Sequence, residues 1–462
     1  MNMNTKDTVF CYVRPWNADQ FSFLARKVSP DARVMLCSEH PALDEVGISK
    51  NYYSNLKRAV QKKSLELDSI SEAEIDDVIN RCRLLRNLTI NNARRHVWAM
   101  GTAIGDAFDR CCPKLVLSLT VDSFVMDLLR LTAQARGVRF FGFIGTFVNG
   151  YYRLSARGEP NFNAAADISV VSELKEKLLK DDYAPAFNAK SISRPRRSVF
   201  RRWAANVARM PYFWLKRMSS GDYYNYHYWV SQTVSASQFH LYPPRDPGNA
   251  SWADRIGSES RPSLYIPLQM FPECTIDYWC QDVRVIDYYE VLDQLVDKLS
   301  TRFHVLVKEH PSVMGSRPSG FYSSLSRDKR VTVVPTYVPS NEVLRKVDGV
   351  VVWTGSVGFE SMLRGKPVFG LAMPFYASGN RFRVIDKDPD LDVMIQHVEA
   401  CNAKPITEEE QDAVLSYLAR QLFKGGFIND GSWTLNNSRH VSQAEEVVQS
   451  FLQSEFGPQS WS

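Results

Sequence analysis

Short runs of consecutive apolar residues, each followed by a stretch with helical spacing, recur along this chain. "DTVFCYV" reads as a buried strand, "ADQFSFLARKV" as a helix and "ARVMLCS" as a second strand, the βαβ rhythm of a parallel sheet. Residues 71–110 have helical length and periodicity, Ser71 and Glu74 are spaced as a capping box, and the strand "KLVLSLTV" follows. "DSFVMDLLRLTAQARG" is a helix closed by Gly137, and "VRFFGFIG" is the next strand. From Leu174 to about Pro262 the rhythm fails, through a charged helix, a basic segment, the aromatic run "YYNYHYW" and the loop-like "YPPRDPGNASW". It restarts at "PSLYIPLQ" and continues through the strands "FHVLVKEH", "RVTVVP", "GVVVWT" and "PVFGLA", with helices between them. Two runs of the rhythm predict two α/β sheets.

The tail has helical patterns at 407–423 and 441–454 with no strand expected after them, and such helices often pack back on an earlier domain. The expected division is therefore 1–185, a first Rossmann-like domain; 186–262, a basic and aromatic insertion or linker; 263–405, a second Rossmann-like domain; and 406–462, C-terminal helices. A length of 462 residues fits two or three domains. Eight cysteines without a CxxC pair argue against a zinc site or a disulfide framework. No secretory signal and no apolar run long enough to span a bilayer is visible, which predicts a cytoplasmic protein.

Charge changes the picture in one place. Residues 183–221 hold nine Lys or Arg and no Asp or Glu, and removing those nine from the net +5 leaves −4. A uniformly basic nucleic-acid binder is thereby excluded. Within this segment Val199, Trp203, Val207, Met210 and Trp214 recur three or four apart, which suits a helix lying on an anionic membrane surface, a packed linker or a contact with an acidic glycan.

Candidate chemistry gathers where strands end. In parallel α/β sheets ligands bind at the carboxyl ends of the strands. "LVKEHPSVMGSR" places Lys308, Glu309 and His310 at such an end, with Pro311 stopping the ladder. Alternation does not decide whether Lys308 or Glu309 faces the ligand. In "VVVWTGSVGFESMLRGKPVFG" a buried strand runs into Thr354, Gly355, Ser356 and Val357 and then a short helix. Gly355 permits close backbone approach, Ser356 can cap the helix, and its first N–H groups suit a phosphate. Glu360, one turn further, is placed to accept hydrogen bonds from ribose hydroxyls. The alternative is a capped helix with an exposed glutamate.

The order "IPLQMFPEC", "VLVKEHPSVMGSRP" with "FYSSL", then "VVVWTGSVGFESMLRGKPVFGLAMPFY" resembles the bacterial capsular polysaccharide biosynthesis family, which includes β-Kdo transferases, over residues 264–376. The resemblance implies a GT-B fold, two Rossmann-like domains facing a cleft, with a CMP-activated acidic sugar as donor. It implies that His310 and Ser356 contact the CMP phosphate, that Glu360 sits near the ribose or cytosine, and that Pro272 and Glu273 bring a carboxylate to the donor sugar. No cofactor or metal is implied. Asp122, after the strand "KLVLSLTV", is placed either as a base for the acceptor hydroxyl or as the cap of its own helix; Glu273 or Asp277 is the candidate nucleophile. Where relatives carry an acidic residue after "VRFFGFIG", this chain has Glu159 well downstream.

The function expected is transfer of Kdo or a related acidic sugar from a CMP-sugar to a growing capsule or lipopolysaccharide chain. The partners are a saccharide or lipid-linked glycan acceptor and an anionic membrane surface on the cytoplasmic side, and no nucleic acid. Two alternatives are a UDP-sugar 2-epimerase-like isomerase and a non-catalytic nucleotide-binding subunit of an assembly complex.

Overall fold

The computed structural model describes residues 7–163, 168–180 and 246–457, apart from 258–259, 272, 312, 314–316, 319 and 429–430, together with single positions between 183 and 215. The chain divides into two compact units, Met1–Asp167 with Leu418–Ser462, and Ile168–Tyr417. The strands are β1 (Thr8–Tyr12), β2 (Arg33–Cys37), β3 (Pro113–Leu119), β4 (Arg139–Gly145), β5 (Tyr151–Leu154) and β6 (Ser263–Pro267). They continue with β7 (His304–Lys308), β8 (Val331–Val334), β9 (Gly349–Val352), β10 (Val368–Gly370), β11 (Phe382–Val384) and β12 (Phe423–Lys424).

The first unit carries a sheet in the order β12-β5-β4-β3-β1-β2. β1 to β4 pair in parallel, and β5 and β12 close one edge antiparallel. The second unit carries the order β11-β10-β9-β6-β7-β8, all parallel. Strands of this kind are covered on both faces, which is why β1, β7, β8 and β9 are apolar almost without interruption and buried throughout. Each order reverses direction at one point, between β1 and β3 in the first sheet and between β6 and β9 in the second, and such reversals open a crevice at the strand ends.

The helix Glu72–Arg81 begins with the expected capping box of Ser71 and Glu74. The helix Phe124–Ala135 ends before Gly137, whose φ of 65° lies in the left-handed region. The tail is not helices alone: Phe423 and Lys424 pair with Tyr152 and Tyr151 as an edge strand, which corrects the sequence reading. Beyond it the helix Ser438–Gln453 packs on the first unit's core, with Val447 and Phe451 among Phe21, Phe143 and Tyr152. The Tyr152 hydroxyl donates to the Val447 carbonyl at 3.0 Å.

Among the described residues no helix is long and apolar enough to cross a membrane. The basic stretch 199–214, but for single positions, the aromatic run 223–229 and Pro272 lie outside the described residues.

Candidate functional site

In the second unit both charges that end β7 are buried. Glu309 is buried and turned inward: its carboxylate accepts from Arg317 Nε and Nη2, both at 2.7 Å, and from the Tyr322 hydroxyl at 2.5 Å. It also accepts the backbone N–H of His310 at 2.6 Å, so the same carboxylate fixes where the His310 loop begins. Arg317, itself buried, donates a further bond to the Gln269 carbonyl at 2.6 Å and lies against the rings of Tyr288, Tyr289 and Phe321. The loops after β6 and β7 are thus tied through one guanidinium. His310 is partly exposed.

Lys308 is buried too, with Nζ 3.5 Å from the Thr336 carbonyl. Burial pulls its ammonium down to about 8, opposed by the carboxylates of Glu309, Glu360 and Asp246. Asp246 is held in place by the Thr336 N–H and hydroxyl. Lys308 therefore keeps most of its charge at neutral pH in a place poor in water.

After β9 the chain turns through Thr354, Gly355 and Ser356 into the helix Val357–Leu363. Thr354 is buried and its hydroxyl donates to the Thr275 carbonyl at 3.1 Å, so it ties two loops together. At Gly355 an added Cβ would fall 2.3 Å from Gln269 Nε2, so the glycine admits the Gln269 amide against the turn. The Gly355 carbonyl accepts the Tyr376 hydroxyl. Ser356 holds the first position of the helix cap, with φ −59° and ψ −22°, but its side chain makes no capping hydrogen bond, which corrects that expectation. Its hydroxyl serves the Glu360 carboxyl instead. Burial raises the Glu360 carboxyl above its ordinary value, against the charges of Arg364 and Lys308 and that hydroxyl bond. Lys308, Ser356 and Glu360 are thereby brought together, with Val357 at the start of the helix.

Glu273 precedes the helix Cys274–Asp277 and accepts the Thr275 hydroxyl at 2.7 Å, so Thr275 links it to Thr354. Asp277, fully buried, ends that helix.

In the first unit the reversal between β1 and β3 carries a cluster that the sequence reading half found. Asp122 is not the cap of its helix; Ser123 is, accepting the Met126 N–H. Asp122 instead receives both ends of the Arg14 guanidinium, at 2.6 and 2.7 Å. Arg14 Nε reaches Glu39 at 3.2 Å. Burial, then the charge of Asp122, pushes the Glu39 carboxyl up to about 8. Glu159 is engaged elsewhere, accepting the N–H groups of Ala156 and Arg157, both at 2.6 Å. Arg14 and Glu39 were legible by the rule that singled out His310, since "CYVRPW" and "CSEH" each end a buried strand on charge. Arg317 and Gln269 gave no such signal, because their roles depend on contacts between loops.

Residues 225–379 match the family described as capsule polysaccharide biosynthesis protein. The chain resembles this family. It is 26% identical over 142 residues to the capsule polysaccharide modification protein LipA of Neisseria meningitidis serogroup B, covering 30% of this chain and 20% of that protein. With LipA of serogroup A it shares 29% identity over 123 residues, 27% of this chain and 17% of that protein. The chain thus spans about a fifth of the length of the curated relatives it matches. Among solved structures, the β-Kdo 2,7 transferase KpsC of Thermosulfurimonas dismutans aligns over 97% of this chain and 99% of its own, at 13% identity and a TM-score of 0.36.

Proposed function

We propose that this chain is a GT-B glycosyltransferase of surface polysaccharide synthesis, moving Kdo or a related acidic sugar from a CMP conjugate to a saccharide acceptor. The observation that carries the reading is the grouping of Lys308, Ser356 and Glu360 at the reversal of an all-parallel sheet. A buried ammonium stabilises the phosphate charge that grows as the sugar–phosphate bond breaks, and a carboxyl beside it accepts ribose hydroxyls. The family match over 225–379 supports a role in capsule synthesis. In this reading His310 and Glu273 serve the donor phosphate and the donor sugar, and Asp122 has the role of base for the acceptor hydroxyl.

The test is a thermal shift with CMP and with UDP at millimolar concentration in the presence of EDTA, followed by transfer from CMP-Kdo. CMP raises the melting temperature, and His310→Ala loses both the shift and transfer. A shift with UDP alone, or epimerisation of UDP-N-acetylglucosamine, would replace this reading with an isomerase.

A further inference from the structure

We infer that the carboxyl end of the first sheet is a binding site for an uncharged pyranose ring, held by Tyr12, Glu39 and Asp122 through its hydroxyls and by Trp16 through an apolar face. Calling that ring the acceptor rests on the transferase reading; the binding itself does not.

Two buried polar atoms there lack a hydrogen-bond partner among the described residues, Tyr12 Oη and Glu39 Oε2. Tyr12 is 2% exposed and Glu39 is 9% exposed. An orphaned buried polar atom is costly, so a pair of them beside one guanidinium marks a place where another molecule's polar groups belong. Tyr12 and Arg14 are two residues apart on β1 and its extension and share a face, with the guanidinium carbon 5.9 Å from the Tyr12 ring centre.

The class of ligand follows from charge. The Arg14 fork is occupied by Asp122 and Glu39, and one positive charge is met by one carboxylate, leaving no surplus to attract a phosphate. The groups facing Glu39 are Arg14 from the end of β1 and Asp122 from the end of β3, while His40, next along the chain, is exposed. With its carboxyl pushed up to about 8, Glu39 carries a proton at neutral pH and donates to a ligand oxygen. The Tyr12 hydroxyl and the Asp122 carboxylate accept. Donors and acceptors without net charge match the vicinal hydroxyls of a sugar.

Next along the chain, Trp16 offers an apolar surface, with its Cβ beside Gly431. It is 40% exposed, unusual for so large an apolar side chain, and stands two residues beyond Arg14. The turn that presents it is pinned twice, by the Arg14 N–H on Asn17 Oδ1 at 2.7 Å and by the Asn17 N–H on the Arg14 carbonyl at 3.0 Å. An indole with a wet face stacks on the C–H face of a pyranose.

The experiment uses the full chain and saturation-transfer NMR with methyl pyranosides of glucose, galactose, mannose and N-acetylglucosamine, with inorganic phosphate as control. At least one pyranoside binds and phosphate does not. Trp16→Ala weakens binding by about tenfold or more. Binding to the native chain falls as pH rises through about 8, where Glu39 loses its proton, whereas Glu39→Gln, which retains a donor, binds independently of pH. Absence of binding at tens of millimolar, displacement by phosphate, or a native profile flat across that range overturns the proposal. The CMP shift of the unaltered chain is read in parallel: a shift without pyranoside binding defeats this site alone, and pyranoside binding without a shift defeats the donor reading alone.

Discussion

Lys308 carries its charge where water is scarce, and the consequence depends on pH in two opposite ways. Its folded value of about 8 lies below the ordinary lysine value of 10.5. Between the two the unfolded chain binds more protons than the folded one, so the ligand-free protein gains stability as pH rises across that window. Over the same rise the ammonium that would meet a phosphate disappears. CMP affinity is therefore expected to drop about tenfold or more from pH 7 to 9.5, as charge-assisted bonds to the phosphate are lost. Lys308→Met should bind CMP weakly and without that pH dependence; a native affinity that is flat with pH rules out Lys308 as the phosphate cation. Glu309, the next residue, does a different job. Its buried pairing with Arg317 makes Arg317→Ala a loss of about 3–5 kcal/mol in urea unfolding, because a buried carboxylate is left without its partner. Sequence placed both charges at the end of β7, but the pairing of Glu309 is with Arg317, eight residues away, and alternation along a strand carries no information about such a contact.

At the scale of elements, the turn after β9 depends on one missing side chain. A Cβ on Gly355 would overlap Gln269 Nε2 at 2.3 Å, yet the overlapping atom is the far end of a side chain that can swing. Gly355→Ala should therefore fold, at a loss of about 1–3 kcal/mol, with Gln269 displaced from the turn. Adding Gln269→Ala should recover most of that loss in a double-mutant cycle; strictly additive losses would show that the glycine is required by its backbone instead. The motif "WTGSVG" displays this turn, and the reason for its glycine lies on β6's loop, outside the motif. Strands follow the same division. β7, β8 and β9 announce themselves because burial on both faces makes nearly every residue apolar. β11 is three residues long and mostly exposed, and β12 has only two residues, so neither leaves a pattern to read.

At the scale of the molecule, the first unit is assembled from both ends of the chain. Helical periodicity in the tail shows that one face is apolar without naming what covers it, so its partner became visible only in the structure. That face meets the first sheet: Phe451 is fully buried and meets Phe141 edge-on and Phe143 at a tilt, and Ala444 and Val447 share its cluster with Leu24 and Val28. The Tyr152 hydroxyl and the Ser450 hydroxyl anchor the same helix to β5 and to Lys424. Removing the Phe451 ring leaves a cavity among aromatic rings that are themselves held by the sheet, so collapse around it is restricted and Phe451→Ala should cost about 3–5 kcal/mol. The loss belongs to the unit that contains the ring. In native-state hydrogen exchange, amides of β1, β3, β4 and β5 should exchange faster in the variant, while those of β6, β7 and β9, whose core is a separate cluster around Tyr288 and Trp353, should keep the native rate. Equal acceleration in both sheets would mean that the two cores unfold as one cooperative body, and unchanged exchange in the first sheet would mean that the tail helix adds nothing to its stability.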